Sequence, residues 1–335
     1  MMTAAPHIPV LLAEVLDGLA VGPGGTYVDG TFGAGGYTRA ILEAAADTRV
    51  IAIDRDPDAR PRAEALSALF PGRLFFLPGR FGDMQALIDA AGLGPVDGVT
   101  LDVGVSSMQI DTAARGFSFM KAGPLDMRME QAGRTAADVV NETEESDLAD
   151  IIYQYGEERL SRRIARAIVE DRRINGPIET TGRLAEIVRR VVPKKSHDAI
   201  DPATRTFQGL RIYVNDEIGE LQRGLTGAEA LLRPGGRLAV VSFHSLEDRE
   251  VKTFLADRTA EMKSRPLPGE KVPPPATFQL VSRKAIRPGD EECRRNPRAR
   301  SSRLRVAERT DAPPRDSDSP LHAAAHAGFR RGEPS

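Results

Sequence analysis

The chain has 335 residues, of which 41% are hydrophobic and 28% charged, with a formal net charge of -2. That length fits one large or two ordinary soluble domains. The charge excludes a molecule that binds nucleic acid as a uniform cation, so any affinity for phosphate must come from local Lys and Arg patches.

No apolar run reaches ~18 residues, so no membrane span is expected. The start, Met1 to His7, lacks a basic region followed by an apolar stretch, so a reducing cytoplasm is the expected compartment. A single cysteine, Cys293, excludes an internal disulfide and a cysteine-built metal site.

Residues 7–19 carry Val10, Leu11, Val15, Leu16 and Leu19 at helical spacing. An apolar strand, Tyr27 and Val28, then runs into Asp29-Gly-Thr-Phe-Gly-Ala-Gly-Gly-Tyr37 and a helix from Thr38 to Ala45. A second strand, Val50 to Ile53, ends on Asp54. Further strands are expected at 74–77 and 98–103, the last carrying Asp102. Strands alternating with helices predict an α/β fold with a mainly parallel sheet covered on both faces.

Residues 104–146 show no clear strand, and 147–214 read almost wholly as helix (Asp147–Tyr155, Glu157–Arg173, Thr181–Val192). A helix from Asn215 to Leu232, a Pro234-Gly235-Gly236 turn and a strand from Arg237 to Phe243 follow. The expected organisation is a core in two parts, 1–105 and 215–310. A helical insertion at 106–214 interrupts it as a substrate-recognition domain, and 311–335 form a disordered Pro-, Asp- and Ser-rich tail. The insertion leaves just after a strand's carboxyl end, the edge where open α/β sheets bind ligands. Two arginine clusters, Arg159 to Arg173 and Arg294 to Arg305, are candidate phosphate contacts.

The glycine turn is not a dinucleotide fingerprint. Counting from Gly33 and Gly35, the third glycine would fall at position 38, which is Thr38. The Gly-Lys-Ser/Thr ending of a phosphate loop is also missing. Asp29 is awkward beside a pyrophosphate and suits a ligand with a positive centre and no phosphates. S-adenosylmethionine has a sulfonium, an amino group and a ribose whose hydroxyls Asp54 can take. Asp102 can face the reactive end.

The chain also resembles the RsmH (MraW) family of ribosomal RNA small-subunit methyltransferases. The motifs are His7-x-x-Val10-Leu-Leu, DGTFGAGGY (29–37), AIDRDP (52–57), LDVGVSS (101–107), RGFSF (115–119), GPLDMRM (123–129), YGEERLSRRIARAIV (155–169), PATRTFQGLRIYVN (202–215), PGGRLAVVSFHSLEDR (234–249) and NPRARSSRLR (296–305). They follow the family's order over about nine-tenths of the chain. The resemblance implies a class I S-adenosylmethionine-dependent, Rossmann-like methyltransferase fold with a helical insertion. It implies methylation of the N4 amine of cytidine 1402 in the 16S rRNA of the small ribosomal subunit. It places cofactor contacts on Gly35, Gly36, Tyr37, Asp54, Phe81, Asp102 and Gln109, and it leaves a homodimer open. Tyr37 stands where several relatives have histidine, and Met108 where a proline is common.

Cytosine N4 is a poor nucleophile because its lone pair is delocalised into the ring. The enzyme must therefore align N4, methyl carbon and sulfur, and acceptors aimed at the N4 hydrogens would stabilise the cationic transition state. The Asp/Asn/Ser-Pro-Pro-aromatic motif of many amine-directed methyltransferases is absent; Asp102-Val-Gly-Val-Ser-Ser107 stands there. Asp102 is the first catalytic candidate, orienting either the amine or the cofactor's amino group, with a cap for the next turn as the plainer role. His244 is the second, as a proton acceptor. Phe243, Phe117 and Phe119 are candidates for stacking on a splayed base, with core packing as the alternative. No metal is expected, and no histidine–carboxylate cluster is apparent. The rival readings are an NAD-dependent oxidoreductase, a non-catalytic RNA-binding factor and a DNA cytosine methyltransferase.

Overall fold

The computed structural model describes residues 9–193, 200–259 and 274–315. His7 and residues 316–335 of the expected tail lie outside the described residues.

Seven strands form one sheet: β1 (Thr26–Asp29), β2 (Arg49–Asp54), β3 (Leu74–Pro78), β4 (Val96–Asp102), β5 (Leu232–Ser242), β6 (Phe278–Leu280) and β7 (Arg303–Arg309). Their order is β3-β2-β1-β4-β5-β7-β6. Pairing is parallel from β3 to β5, whereas β7 runs antiparallel to both β5 and β6. The central strands are apolar runs because both of their faces are covered. Tyr27, Val50, Ala52, Ala239 and Val241 enter one core, while Val28, Ile51, Ile53, Leu238 and Val240 enter the other. This is the period-two alternation of a pleated strand.

Helices α1 (Leu12–Leu19), α2 (Gly36–Ala44) and α3 (Ala59–Leu69) cover the first face. Helix α4 (Met84–Ala91) packs on the second. Between β4 and β5 run the short α5 (Ser107–Asp111), then α6 (Ala136–Glu142), α7 (Glu145–Gly156), α8 (Ser161–Asn175), α9 (Thr181–Val191) and α10 (Thr204–Asn215). These helices of the insertion enclose their own apolar core, which includes Val140, Ile152, Ile164, Leu184 and Leu210. Helix α8 shows why: Ile164, Ala165 and Ile168 are buried at helical spacing, and Arg162, Arg163 and Arg166 fall on the outer face. Helix α11 (Glu217–Leu231) returns the chain to the sheet, followed by α12 (Ser245–Arg258) and α13 (Asp290–Arg295).

The expected mainly parallel α/β sheet with a helical insertion is present. Three expectations are corrected. Strand β5 starts at Leu232, before Pro234-Gly235-Gly236, because Leu232 already pairs with Val96; the register then shifts before Gly98 pairs with Arg237. The arginine cluster at 294–305 is only partly open: Arg294, Arg295, Arg298 and Arg300 are exposed, whereas Arg303 and Arg305 are not. Alternation along β7 buries Leu304 and Val306 and turns Arg303 and Arg305 towards Asp248, which accepts from both. Arg294 pairs with Glu291, and Arg298 with Asp111. Residues 311–315 are not a loose tail, since Arg315 binds Asp257 and its backbone N–H donates to Glu229.

Candidate active site at the carboxyl edge of the sheet

Strand order reverses at β1, which lies between β2 and β4. The carboxyl ends of these strands therefore diverge, and the crevice between them is where such sheets bind ligands. A cavity of about 410 Å³ opens there, within the ~300–1,000 Å³ typical of small-molecule sites. Its walls include Gly30, Gly33, Asp54, Phe81 and Asp102 from the first part of the core, and Gln109, Arg211, Glu217, His244 and Glu247 from later elements.

The glycine turn is held from below. Asp29 is fully buried; its Oδ1 accepts from Thr31 N–H at 3.2 Å, and its Oδ2 accepts the backbone N–H and hydroxyl of Thr38 at 3.2 and 2.7 Å. Burial pushes its carboxyl up to about 6. Asp29 does not line the cavity, so the expectation that it meets the ligand's positive centre directly is corrected: its oxygens are taken by the turn that it closes. Gly35 does not line the cavity either. It caps α2 at φ 79°, and a Cβ there would meet the Phe32 ring at 2.9 Å; this left-handed position needs glycine. Gly36 and Tyr37 do line the cavity, and the Tyr37 hydroxyl donates to the Val10 carbonyl, tying the N-terminal segment to α2.

Asp54 projects from the end of β2. Its Oδ2 accepts from Gly33 N–H at 2.7 Å and its Oδ1 from Asp56 N–H at 2.8 Å. Each oxygen keeps a further lone pair, and the residue lines the cavity. Gln109, the third residue of α5, forms a capping box with Ser106, and its Nε2 donates to Asp56 Oδ2 at 2.8 Å. Asp56 also receives Arg115 at 2.9 Å, so the cavity's outer wall is fixed by charge as well as by packing.

Asp102 ends β4. Its backbone N–H donates to Thr31 Oγ1, but its Oδ1 is buried without a partner. Burial and the neighbouring charges of Asp29 and Glu247 push its carboxyl well above the usual carboxylate range. A buried acid with an unpartnered oxygen is complementary to a cation or a strong donor. The walls thus fit a ligand that joins a ribose, for Asp54, to a positive centre, for Asp102.

His244 lies opposite, as the N-cap of α12, where its Nδ1 accepts from Glu247 N–H at 3.4 Å. Its Nε2 is 2.9 Å from Glu247 Oε1 but off the line that a hydrogen bond needs. Contrary to expectation, a histidine–carboxylate group therefore exists: one ligating atom each from Glu217, His244 and Glu247 falls within 4.8 Å of the others. Positive charge is already supplied there by Arg211, which forks onto both Glu217 oxygens at 2.8 and 2.9 Å.

Of the aromatics, Phe243 lines the cavity. Phe117 and Phe119 do not; they pack against the insertion core, with Phe119 edge-on to Phe207 at 4.8 Å. Sequence reading missed Arg211, Glu217 and Glu247. Only Glu247 had a signal, standing three residues after a cap-competent residue at a helix start.

The MraW methylase family model matches residues 4–310. Ribosomal RNA small subunit methyltransferase H of Paramagnetospirillum magneticum is 62% identical over 318 residues, covering 93% of this chain and 98% of that one. The protein of the same name from Methylobacterium nodulans is 60% identical over 311 residues, covering 92% and 91%. By motif order, fold and family match together, the chain belongs to the MraW methylase family and carries the class I S-adenosylmethionine-dependent methyltransferase fold.

Proposed function

We propose that this protein transfers a methyl group from S-adenosylmethionine to the N4 amine of cytidine 1402 in the 16S rRNA of the small ribosomal subunit, in the cytoplasm. The observation that carries the reading is the pairing of Asp54 and Asp102 across one cavity at the switch point of the sheet. Relatives at 62% and 60% identity bear a small-subunit rRNA methyltransferase name.

Asp54 takes the ribose hydroxyls and Phe81 lies beside the adenine. Gly36 and Tyr37 form the wall behind the methionine part. Asp102 meets the positive end, and Gln109 holds the outer wall through Asp56. The bound donor supplies an activated methyl on a sulfonium. The chain's own task is to orient N4 against it and to keep water out. Residues 106–214 serve as the RNA platform, with Arg162, Arg163 and Arg166 exposed on α8 to meet phosphates. Among the described residues no helix is long and apolar enough to cross a membrane.

The test is tritiated methyl transfer to small subunits that lack this modification. The expected result is label at the N4 of that cytidine with the wild-type protein, and loss of label with Asp54→Ala and with Asp102→Ala. Absence of label with the wild type, or label on another atom, overturns the reading.

A further inference from the structure

We propose that Glu247 is the catalytic residue that takes the proton from the cytosine amine. This rests on the function proposed above and assigns its proton acceptor.

Glu247 is 2% exposed and lines the cavity. One of its oxygens is fixed: Oε2 accepts from Phe243 N–H at 2.8 Å and from His244 N–H at 3.2 Å. The other, Oε1, is buried and accepts no hydrogen bond; His244 Nε2 stands 2.9 Å from it, off the line that a bond needs. A carboxylate oxygen on a cavity-lining residue, rigidly held and with no aligned donor, calls for a ligand that brings one.

Two other groups compete for the role. His244 spends Nδ1 on the Glu247 N–H. A nitrogen that accepts carries no hydrogen, so the proton of the neutral ring sits on Nε2. The ring then has no free lone pair, and its Nε2–H is not aligned on Oε1. Asp102 also has an unpartnered oxygen, but its surroundings favour its protonated form, and Glu247's own charge contributes to this. Asp102 is suited to meet the positive donor, whose arrival favours its ionised form. Oε1 of Glu247 is left as the acceptor for the amine.

The proton balance is simple. The N4 lone pair forms the new N–C bond while the C–S bond breaks, its pair staying on sulfur. N4 then carries a positive charge and one surplus hydrogen. Glu247 Oε1 takes that hydrogen as a proton, leaving a neutral methylated amine, a neutral thioether and a neutral glutamic acid. Release of the proton to solvent restores the carboxylate.

The test is Glu247→Gln. The amide oxygen still accepts from Phe243 and His244 N–H, so the start of α12 is retained. Single-turnover methyl transfer is expected to fall about 10²–10⁴-fold, the usual contribution of a positioned acid–base group. Calorimetric affinity for S-adenosylmethionine is expected not to fall, and filter-binding affinity for the RNA is expected to stay unchanged. His244→Asn, which keeps a favoured N-cap residue, is expected to lose far less rate. Glu247→Asp keeps the charge on a shorter arm and should retain more rate than the glutamine variant; this comparison is read on the aspartate variant against wild type if the glutamine variant does not fold.

The inference falls if Glu247→Gln or Glu247→Asp lowers cofactor affinity as much as rate. It falls if Glu247→Gln turns over like wild type, if Glu247→Asp is no better than an empty assay, or if His244→Asn is the more damaging change. A wild-type protein that leaves cytidine N4 unmethylated defeats the proposed function instead, and with it the need for an acceptor.

Discussion

Asp29 and Thr38 close the glycine turn on itself: the Oδ2 of Asp29 accepts both the backbone N–H and the hydroxyl of Thr38. The position where a dinucleotide turn would have its third glycine thus carries the side chain that fixes the start of α2. Asp29 is held at about 6, against an ordinary 3.8. Its protonated form therefore contributes stability that is complete below about 3.8 and is lost as pH rises through about 6. Above that range the ionised acid depends on its three donor contacts.

Thr38→Val removes the strongest of those contacts and raises the folded-state value further. Loss of a hydrogen bond to a charged group should cost about 1.5–3 kcal/mol at about pH 8. The loss should be smaller at about pH 5, where Asp29 is mostly protonated in both proteins. Urea denaturation of the two proteins at both pH values checks this. An equal loss at each would show that Asp29 stays in one protonation state.

Asp54 pins the same turn from the other side through Gly33, and its second oxygen accepts from Asp56 N–H. Asp54→Asn keeps one acceptor and turns an NH₂ group towards a backbone donor. Affinity for S-adenosylmethionine should fall by about 10–100-fold, in line with the ~1.5–3 kcal/mol worth of a charged hydrogen bond. Calorimetry with this ligand measures it, and NAD should give no heat with either protein.

Arg115 connects the segment after α5 to the core. One of its nitrogens reaches Asp56 and Asp58, and the other donates to the carbonyls of Arg128 and Met129. The Arg115–Asp56 pair is largely buried, at 13% and 7% side-chain exposure. Removing one partner of such a pair leaves an uncompensated charge, so Arg115→Ala should cost about 3–5 kcal/mol in denaturant unfolding. Arg115→Lys should recover little, because an ammonium cannot span four acceptors with one planar fork.

Much of this layout can be read from the chain because local rules and tertiary demands agree. Apolar runs that end on Asp54 and Asp102 mark β2 and β4, and both acids stand at the cavity as expected. Strands β6 and β7 were not legible. The Arg303–Arg309 segment reads as a charged stretch until Asp248, more than fifty residues earlier, neutralises its two exposed-face arginines. Asp29 misled for a related reason: a carboxylate beside glycines suggests a ligand contact, but only the fold reveals that Thr38 already occupies it. Arg211 and Glu217 stand on either side of a helix break, with Asn215 ending α10 and Glu217 opening α11. No spacing rule pairs them.

The outer face of α8 carries the first arginine cluster. Arg162 and Arg163 are exposed, and Arg166 is 74% exposed with Glu145 at 3.5 Å. Changing all three to Ala should weaken RNA binding across sequences and lower the slope of log affinity against log salt by about 2, given ~0.7 counterions per phosphate on single strands. Cofactor affinity should not move. Filter binding over a salt series, with calorimetry for S-adenosylmethionine, checks both; an unchanged slope would place the RNA on another face.

Gly209 sets how closely α10 approaches α7. A Cβ there would lie 2.9 Å from Gly156 N and 3.3 Å from the Ile151 carbonyl oxygen, both backbone atoms that cannot rotate away. The same crossing buries Ile151, Ile152, Phe207 and Leu210, so Gly209→Ala must push two packed helices apart. Overpacking of this kind costs about 1–3 kcal/mol. Arg211 lies two residues further along α10 and lines the cavity, so the displacement should also lower methyl transfer while leaving S-adenosylmethionine affinity in place. Gly182 in α9 is the control: a Cβ there meets nothing within 4 Å, and Gly182→Ala should stabilise by about 0.5–1 kcal/mol through backbone entropy alone. Thermal or urea unfolding of the two variants should therefore move in opposite directions, and movement in the same direction would mean that the α7–α10 contact is looser than the geometry indicates.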